Sequence, residues 1–162
     1  MQFKIGQTVA HSSHGIGVIK AIEERQFGVG PKSKFYIMEI LDCGTPKKVF
    51  VPFDTNHKLR SIITKDQVAA VYETLFNPAT VEIDHQTWNR RYRDYMERLA
   101  TGNIMDVVVV VRSLFNLRKE KDLNFGERKL LDQAVNLLTK ELAMAENLSE
   151  QEVQSKLETF FI

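Results

Sequence analysis

The chain has one cysteine, Cys43, among 162 residues, so no internal disulfide can hold it and its stability must come from a buried core. Cysteine used this sparingly suits a reducing compartment. No uncharged apolar run approaches the roughly 18 residues that would suggest a membrane span, and the opening Met-Gln-Phe-Lys-Ile-Gly has no apolar signal core. A cytoplasmic protein with no membrane partner is expected. An excess of charge of one sign is also missing: 22 basic and 21 acidic residues leave a net +1, so only the distribution of charge can point to a nucleic acid.

The ingredients of catalysis are missing too. His14-Gly15-Ile16-Gly17 is followed by neither Lys-Ser/Thr nor a helix, so its glycines read as tight-turn residues and not as a phosphate loop. His11, His14 and Cys43 have no second His or Cys pair at ligand spacing, whereas structural zinc usually takes four ligands. His57 and His85 read as polar loop or helix-end residues. No nucleophile, base and orienting group can be assembled into a set. An enzyme is not expected, nor a metal, a cofactor or a small-molecule substrate.

What is present is 43% hydrophobic and 27% charged content, enough to bury a core in one or two domains. Residues 1 to 66 hold 10 basic and 6 acidic residues, net +4, and residues 67 to 162 hold 12 and 15, net −3. Inside that acidic part, residues 88 to 129 hold ten basic and six acidic residues, net +4. A local positive face on a nearly neutral protein suits contact with DNA.

Along the chain, residues 1 to about 62 read as β structure. Thr8-Val9-Ala10, Gly15 to Ile22, Phe35 to Leu41 and Lys48 to Phe53 are short β-rich runs, parted by turn residues at Gly28, Gly30 and Pro31 and from Asp42 to Pro46. Several short strands in so few residues predict a small SH3-like barrel. From Thr64 the period becomes helical, and capping residues announce the starts: Thr64 with Gln67, Asp84 or Gln86, Asn103 with Asp106, Asn124 with Glu127, and Ser149 with Glu152. Stops are expected near Asn77-Pro78, at Thr101-Gly102, near Ala145 and near Phe160. Val107 to Val111 favours a strand by propensity, but the preceding cap and the continuation Arg112-Ser113-Leu114-Phe115 predict a buried helix. The fold class is α+β, a small β-barrel followed by a compact bundle of about five helices.

Trp88-Asn89-Arg90-Arg91-Tyr92-Arg93 sets the only tryptophan beside three arginines. Trp88, Tyr92, Tyr95, Met96 and Leu99 share helical spacing on one face, with Arg90, Arg91, Arg93 and Arg98 projecting from other sides. Two readings follow. In one, Trp88 opens a core stripe, the arginines are a solvated face, and the bundle serves as a protein-interaction adaptor. In the other, Trp88 reaches past the helix end to wedge between stacked bases while the arginines hold phosphates.

Taken end to end, the chain resembles the CarD/CdnL family of bacterial transcription regulators. The resemblance rests on Phe3-Lys4-Ile5-Gly6, His14-Gly15-Ile16-Gly17, Ile22-Glu23-Glu24-Arg25, Val51-Pro52 and Leu59-Arg60. In the helical part it rests on Trp88-Asn89-Arg90-Arg91-Tyr92, Val111-Arg112-Ser113-Leu114, and the run from Leu123 through Asn124-Phe125-Gly126-Glu127-Arg128 to Asp132. It implies a Tudor-like domain over residues 1–62 that binds the RNA polymerase β subunit. It further implies a helical domain over 63–162 that touches promoter DNA, largely independent of sequence.

By the same resemblance Trp88 is the minor-groove wedge at the upstream edge of the −10 element, helping to hold the open complex. Arg90, Arg91 and Arg93 match positions near the DNA backbone, and Arg128 is a further basic contact. Arg25, Phe50 and Pro52 match the polymerase-facing surface. Two departures stand out: His11-Ser12 where relatives often have Tyr-Pro, and Phe50 where others have arginine or methionine.

Overall fold

A computed structural model of the chain describes residues 2–12, 14–40, 45–77 and 86–159. They fall into two units, Met1–Ile62 and Ile63–Ile162. The first is a five-stranded antiparallel sheet of Tudor-like type: β1 (Thr8–His11), β2 (Gly15–Arg25), β3 (Ser33–Ile40), β4 (Lys47–Pro52) and β5 (Leu59–Ser61), in the order β4-β3-β2-β1-β5. Alternation along β3 turns Tyr36 and Met38 inward onto Phe3, Val9, Ile19, Val51 and Leu59. The Tyr36 ring stacks on Phe53 at 4.2 Å, and its hydroxyl accepts the Phe3 N–H at 3.2 Å, so the buried phenol has a polar partner.

Two features of the sheet depart from expectation. β5 is an additional strand, three residues long, reached through a 3-10 helix at Phe53–Lys58 and defined by pairing with β1. It is too short to carry a visible alternation. Gly17 lies within β2 and not in a tight turn, and a Cβ there would sit 2.6 Å from the Glu39 carbonyl oxygen, so the close approach of β3 requires glycine. The expected turn residues Asp42, Cys43 and Gly44 lie outside the described residues, as do Pro78, Asp84, His85 and Phe160.

The second unit consists of α1 (Lys65–Phe76), α2 (Trp88–Ala100), α3 (Ile104–Glu120), α4 (Phe125–Glu146) and α5 (Glu150–Glu158). Reciprocal capping boxes start α1 (Thr64 and Gln67), α4 (Asn124 and Glu127) and α5 (Ser149 and Glu152). Such caps are typically worth about 0.5–2 kcal/mol each. α3 is capped by Asn103, whose side chain accepts from the Met105 N–H, while Asp106 instead takes Thr101 and Arg98. α2 is the exception. Its N-cap is Thr87, not Asp84 or Gln86, and it makes no side-chain cap bond. Gly102, at φ +75°, follows the end of α2 in the left-handed conformation.

Val107 to Val111 lie inside α3, which packs against α1, α2 and α4. Val108, Val110 and Val111 are fully buried, so packing on several sides overrides their strand propensity. Leu138 and Leu142 of α4 and Val153 of α5 complete the same core. Arg112 is buried with them and donates to the Leu75 carbonyl at 2.9 Å, in the last turn of α1, where a helix end favours a cation. Among the described residues no helix is long and apolar enough to cross a membrane.

Candidate functional site

On α2 the buried line is Arg91, Tyr95 and Leu99, spaced by four residues. The apolar face expected from the sequence is therefore divided. Trp88 is partly buried against the helical core, whereas Tyr92 and Met96 are exposed. Trp88, Tyr92 and Met96 form a second line beside the buried one, and Trp88 meets Tyr92 edge to face at 5.4 Å.

Arg91 corrects the expectation of a surface arginine. It is 6% exposed, and its Nη1 donates to Glu127 Oε2 at 2.7 Å. Its Nε donates to the Gln86 carbonyl at 3.1 Å, and it also hydrogen-bonds Tyr95. Burial alone pushes its pKa down, but the bonds to Glu127 and Tyr95 outweigh that and the net shift is upward. Glu127 is fully buried; burial pushes its pKa up, but the Asn124 N–H, Arg91 and Lys121 outweigh it, and the carboxyl is held below its usual range. This guanidinium is committed to a buried carboxylate and is not available to a phosphate. Of the ten basic and six acidic residues from 88 to 129, Arg91, Arg112 and Glu127 are buried, leaving eight and five, net +3.

Arg90 and Arg93 are exposed, as expected. Their positions on α2 lie about 200° and 140° around the axis from Trp88, so they project from the side of the helix away from the indole. Arg128 is exposed on α4 but lies about 200° around that helix from Gly126, the residue that abuts Trp88. It lines a cavity of about 380 Å³ with Arg118, Asp122 and Asp132, a group of mixed charge.

Gly126 and Glu127 are the residues whose role the sequence pattern concealed. A Cβ on Gly126 would lie 2.7 Å from the Trp88 Cζ2, so the first turn of α4 seats the indole edge. One signal was legible: glycine inside a helix costs about 1 kcal/mol relative to alanine, which calls for a reason. Glu127 looked like a cap partner and is one, but it also holds Arg91 from 36 residues away. Next to Gly126, Phe125 is 75% exposed.

In the first unit the pairing registers bring Arg25, Phe50 and Pro52 to one face of the sheet. Ile37 pairs with Phe50, Phe35 with Pro52 and Glu23 with Phe35. The Arg25 guanidinium lies over the Phe50 ring at 4.7 Å and pairs with Glu23 at 2.7 Å. Phe27, in the β2–β3 connection, meets Phe35 edge to face at 5.3 Å and is exposed, as is Val29. β4 ends the row of strands on this side.

On β1, His11 is buried and its Nδ1 accepts the His14 N–H at 3.2 Å. Burial, then His14 and Lys58, lower its pKa to about 4. It is neutral at neutral pH.

Comparison with known proteins accounts for both units. The family model described as the CarD-like/TRCF RID domain matches residues 3–63, and that described as CarD, C-terminal domain, matches residues 70–158. The chain belongs to the CarD family. Trp88, Gly126 and Glu127 lie in its CarD C-terminal domain, and Arg25, Phe50 and Pro52 in its CarD-like RID domain. A protein of Bacillus subtilis (strain 168) named "Putative transcription factor YdeB" is similar to this CarD chain, 30% identical over 155 residues that cover 94% of this chain and 98% of that protein.

Proposed function

We propose that the protein is a transcription regulator that binds the RNA polymerase β subunit through residues 1–62 and contacts promoter DNA through residues 63–162. Trp88 acts as a minor-groove wedge near the upstream edge of the −10 element and stabilises the open complex. Membership of the CarD family and the likeness to the B. subtilis protein support the regulator role. The finer reading rests on one observation: Trp88 is seated on Gly126 yet is only partly buried, on a helix that also exposes Arg90 and Arg93. A wedge needs a firm back and an open front.

Inserting a side chain at a base step costs on the order of a few kcal/mol in unstacking, and stacking on an aromatic returns roughly 1–3 kcal/mol. The balance improves where strands are already parting, so the wedge favours melted DNA over duplex. Few phosphate contacts leave intrinsic affinity near the non-specific range of roughly 10⁻⁴–10⁻⁶ M. Anchoring on polymerase raises the effective DNA concentration towards about mM, which saturates such weak binding. The sheet face around Arg25, Phe50 and Pro52, bordered by the β4 edge, is the proposed anchor, since an edge strand can pair with a partner strand.

The adaptor reading draws on the packing of Trp88 against the helical core. Open-complex lifetime on a defined promoter separates the two. Trp88→Ala is expected to abolish the stabilisation while polymerase binding persists; an unchanged lifetime would return the helical unit to the adaptor reading. A fragment ending at residue 62 is expected to retain polymerase β binding, and its loss would refute the assignment of that role to the first unit.

A further inference from the structure

We infer that the buried Arg91–Glu127 pair is a positioning device that holds the Trp88 indole in place. Its consequence for promoter DNA rests on the proposed wedge, but its structural half concerns the protein alone. Trp88 is the first residue of α2, where helices fray, and α2 makes no side-chain cap bond. Local structure therefore does not fix the indole.

Tertiary contacts do. Glu127 Oε1 accepts the Asn124 N–H at 3.0 Å, closing the cap of α4, and lies 3.6 Å from Lys121 Nζ, while Oε2 holds Arg91. Arg91 in turn holds the chain leading into α2 at the Gln86 carbonyl, and its guanidinium lies 5.6 Å from the centroid of the Trp88 ring. That distance is within cation–π range. Gly126 bounds the indole at Cζ2 and Cη2. The starts of α2 and α4 are thus joined at one guanidinium, with the indole between that group and a residue that has no side chain.

Stability alone does not explain such a pair, because well-packed apolar residues often replace a buried ion pair without loss. Arginine supplies direction: a planar fork that reaches Glu127, Gln86 and Tyr95 at once can stand in only one orientation.

Trp88 is the only tryptophan, so its emission and its quenching by acrylamide report on the indole directly in the full chain. The double variant Arg91→Met/Glu127→Gln removes both charges together and leaves Gln to complete the capping box. With helix content retained by circular dichroism, its emission is expected to move to longer wavelength, its quenching to increase, and its effect on open-complex lifetime to fall towards that of Trp88→Ala. Arg91→Lys keeps a charge beside Glu127 but lacks the planar fork that reaches Glu127, Gln86 and Tyr95 at once, so the same spectral changes are expected; it carries the test if the double variant does not fold.

Parental emission and quenching in a folded variant would overturn the inference. So would altered spectra with full open-complex stabilisation, provided that Trp88→Ala abolishes it. If Trp88→Ala leaves the lifetime unchanged, the wedge reading fails, and altered spectra still support the positioning device.

Discussion

Each unit sets an arginine beside an aromatic ring and a glutamate, and the two sets differ in how much water they meet. In the sheet unit the Arg25 and Glu23 side chains are 46% and 39% exposed, and Phe50 is 42% exposed. In the helical unit the Arg91 and Glu127 side chains are 7% and 0% exposed, with Trp88 partly buried. The same chemistry therefore does different work. An exposed pair is screened and contributes about 0–1 kcal/mol, so its groups can be yielded to a partner at little cost. A buried pair cannot lose one member without stranding the other, which makes it rigid and unsuited to exchange.

The sharpest way to break this comparison is to remove one arginine from each set. Arg91→Met leaves Glu127 buried and uncompensated, and is expected to destabilise the helical unit by about 3–5 kcal/mol in urea unfolding followed residue by residue by NMR. A loss no larger than that from Arg25→Met would mean that burial does not separate the two sets.

Acid should weaken the units in sequence. His11 has a pKa near 4 when folded and 6.5 as its ordinary value, so between these the unfolded chain binds a proton that the folded chain does not. Stability of the sheet unit is full above about 6.5 and falls as pH drops towards about 4, by on the order of 1–3 kcal/mol. Glu127 works at lower pH. Its folded pKa lies below the ordinary 4.5, so its contribution is present above 4.5 and is lost as pH falls through the folded value. Residue-resolved NMR melting across a pH series checks the order, and His11→Gln should flatten the first phase.

Trp88→Ala tests the partly buried aromatic against the exposed one. A fully buried tryptophan would cost about 3–5 kcal/mol on truncation; this one is expected to cost about 1–3 kcal/mol, read by circular dichroism. Phe50→Ala should cost less. The smallest effect on stability belongs to Arg25→Glu, expected to change it by less than about 1 kcal/mol. Binding to polymerase β should nonetheless weaken, since a charge reversal at an interface sets like charges together. A pull-down with undiminished binding would remove Arg25 from the proposed anchor.

The sequence by itself determined whatever depends on neighbours within a turn or a strand. Thr64, Asn124 and Ser149 with their partners three residues on marked the starts of α1, α4 and α5, and Gly102 marked the end of α2. Asn103 told that Val107 to Val111 continue a helix. These are contacts of a residue with its own i+2 to i+4 neighbours, and they are written in spacing. β5 was decided by β1, about 50 residues earlier in the chain, because a three-residue strand exists only through its partner. Tertiary structure alone also decided that a carboxylate meets Arg91 on the buried side of α2. Helical spacing sets Arg91 in line with Tyr95 and Leu99, but Glu127 lies 36 residues further on, and only the packing of α2 against α4 brings its buried carboxylate to that arginine. The seat of Trp88 on Gly126 was decided in the same way, because which side of a helix meets which neighbour depends on how distant segments pack, and helical period carries no record of the partner.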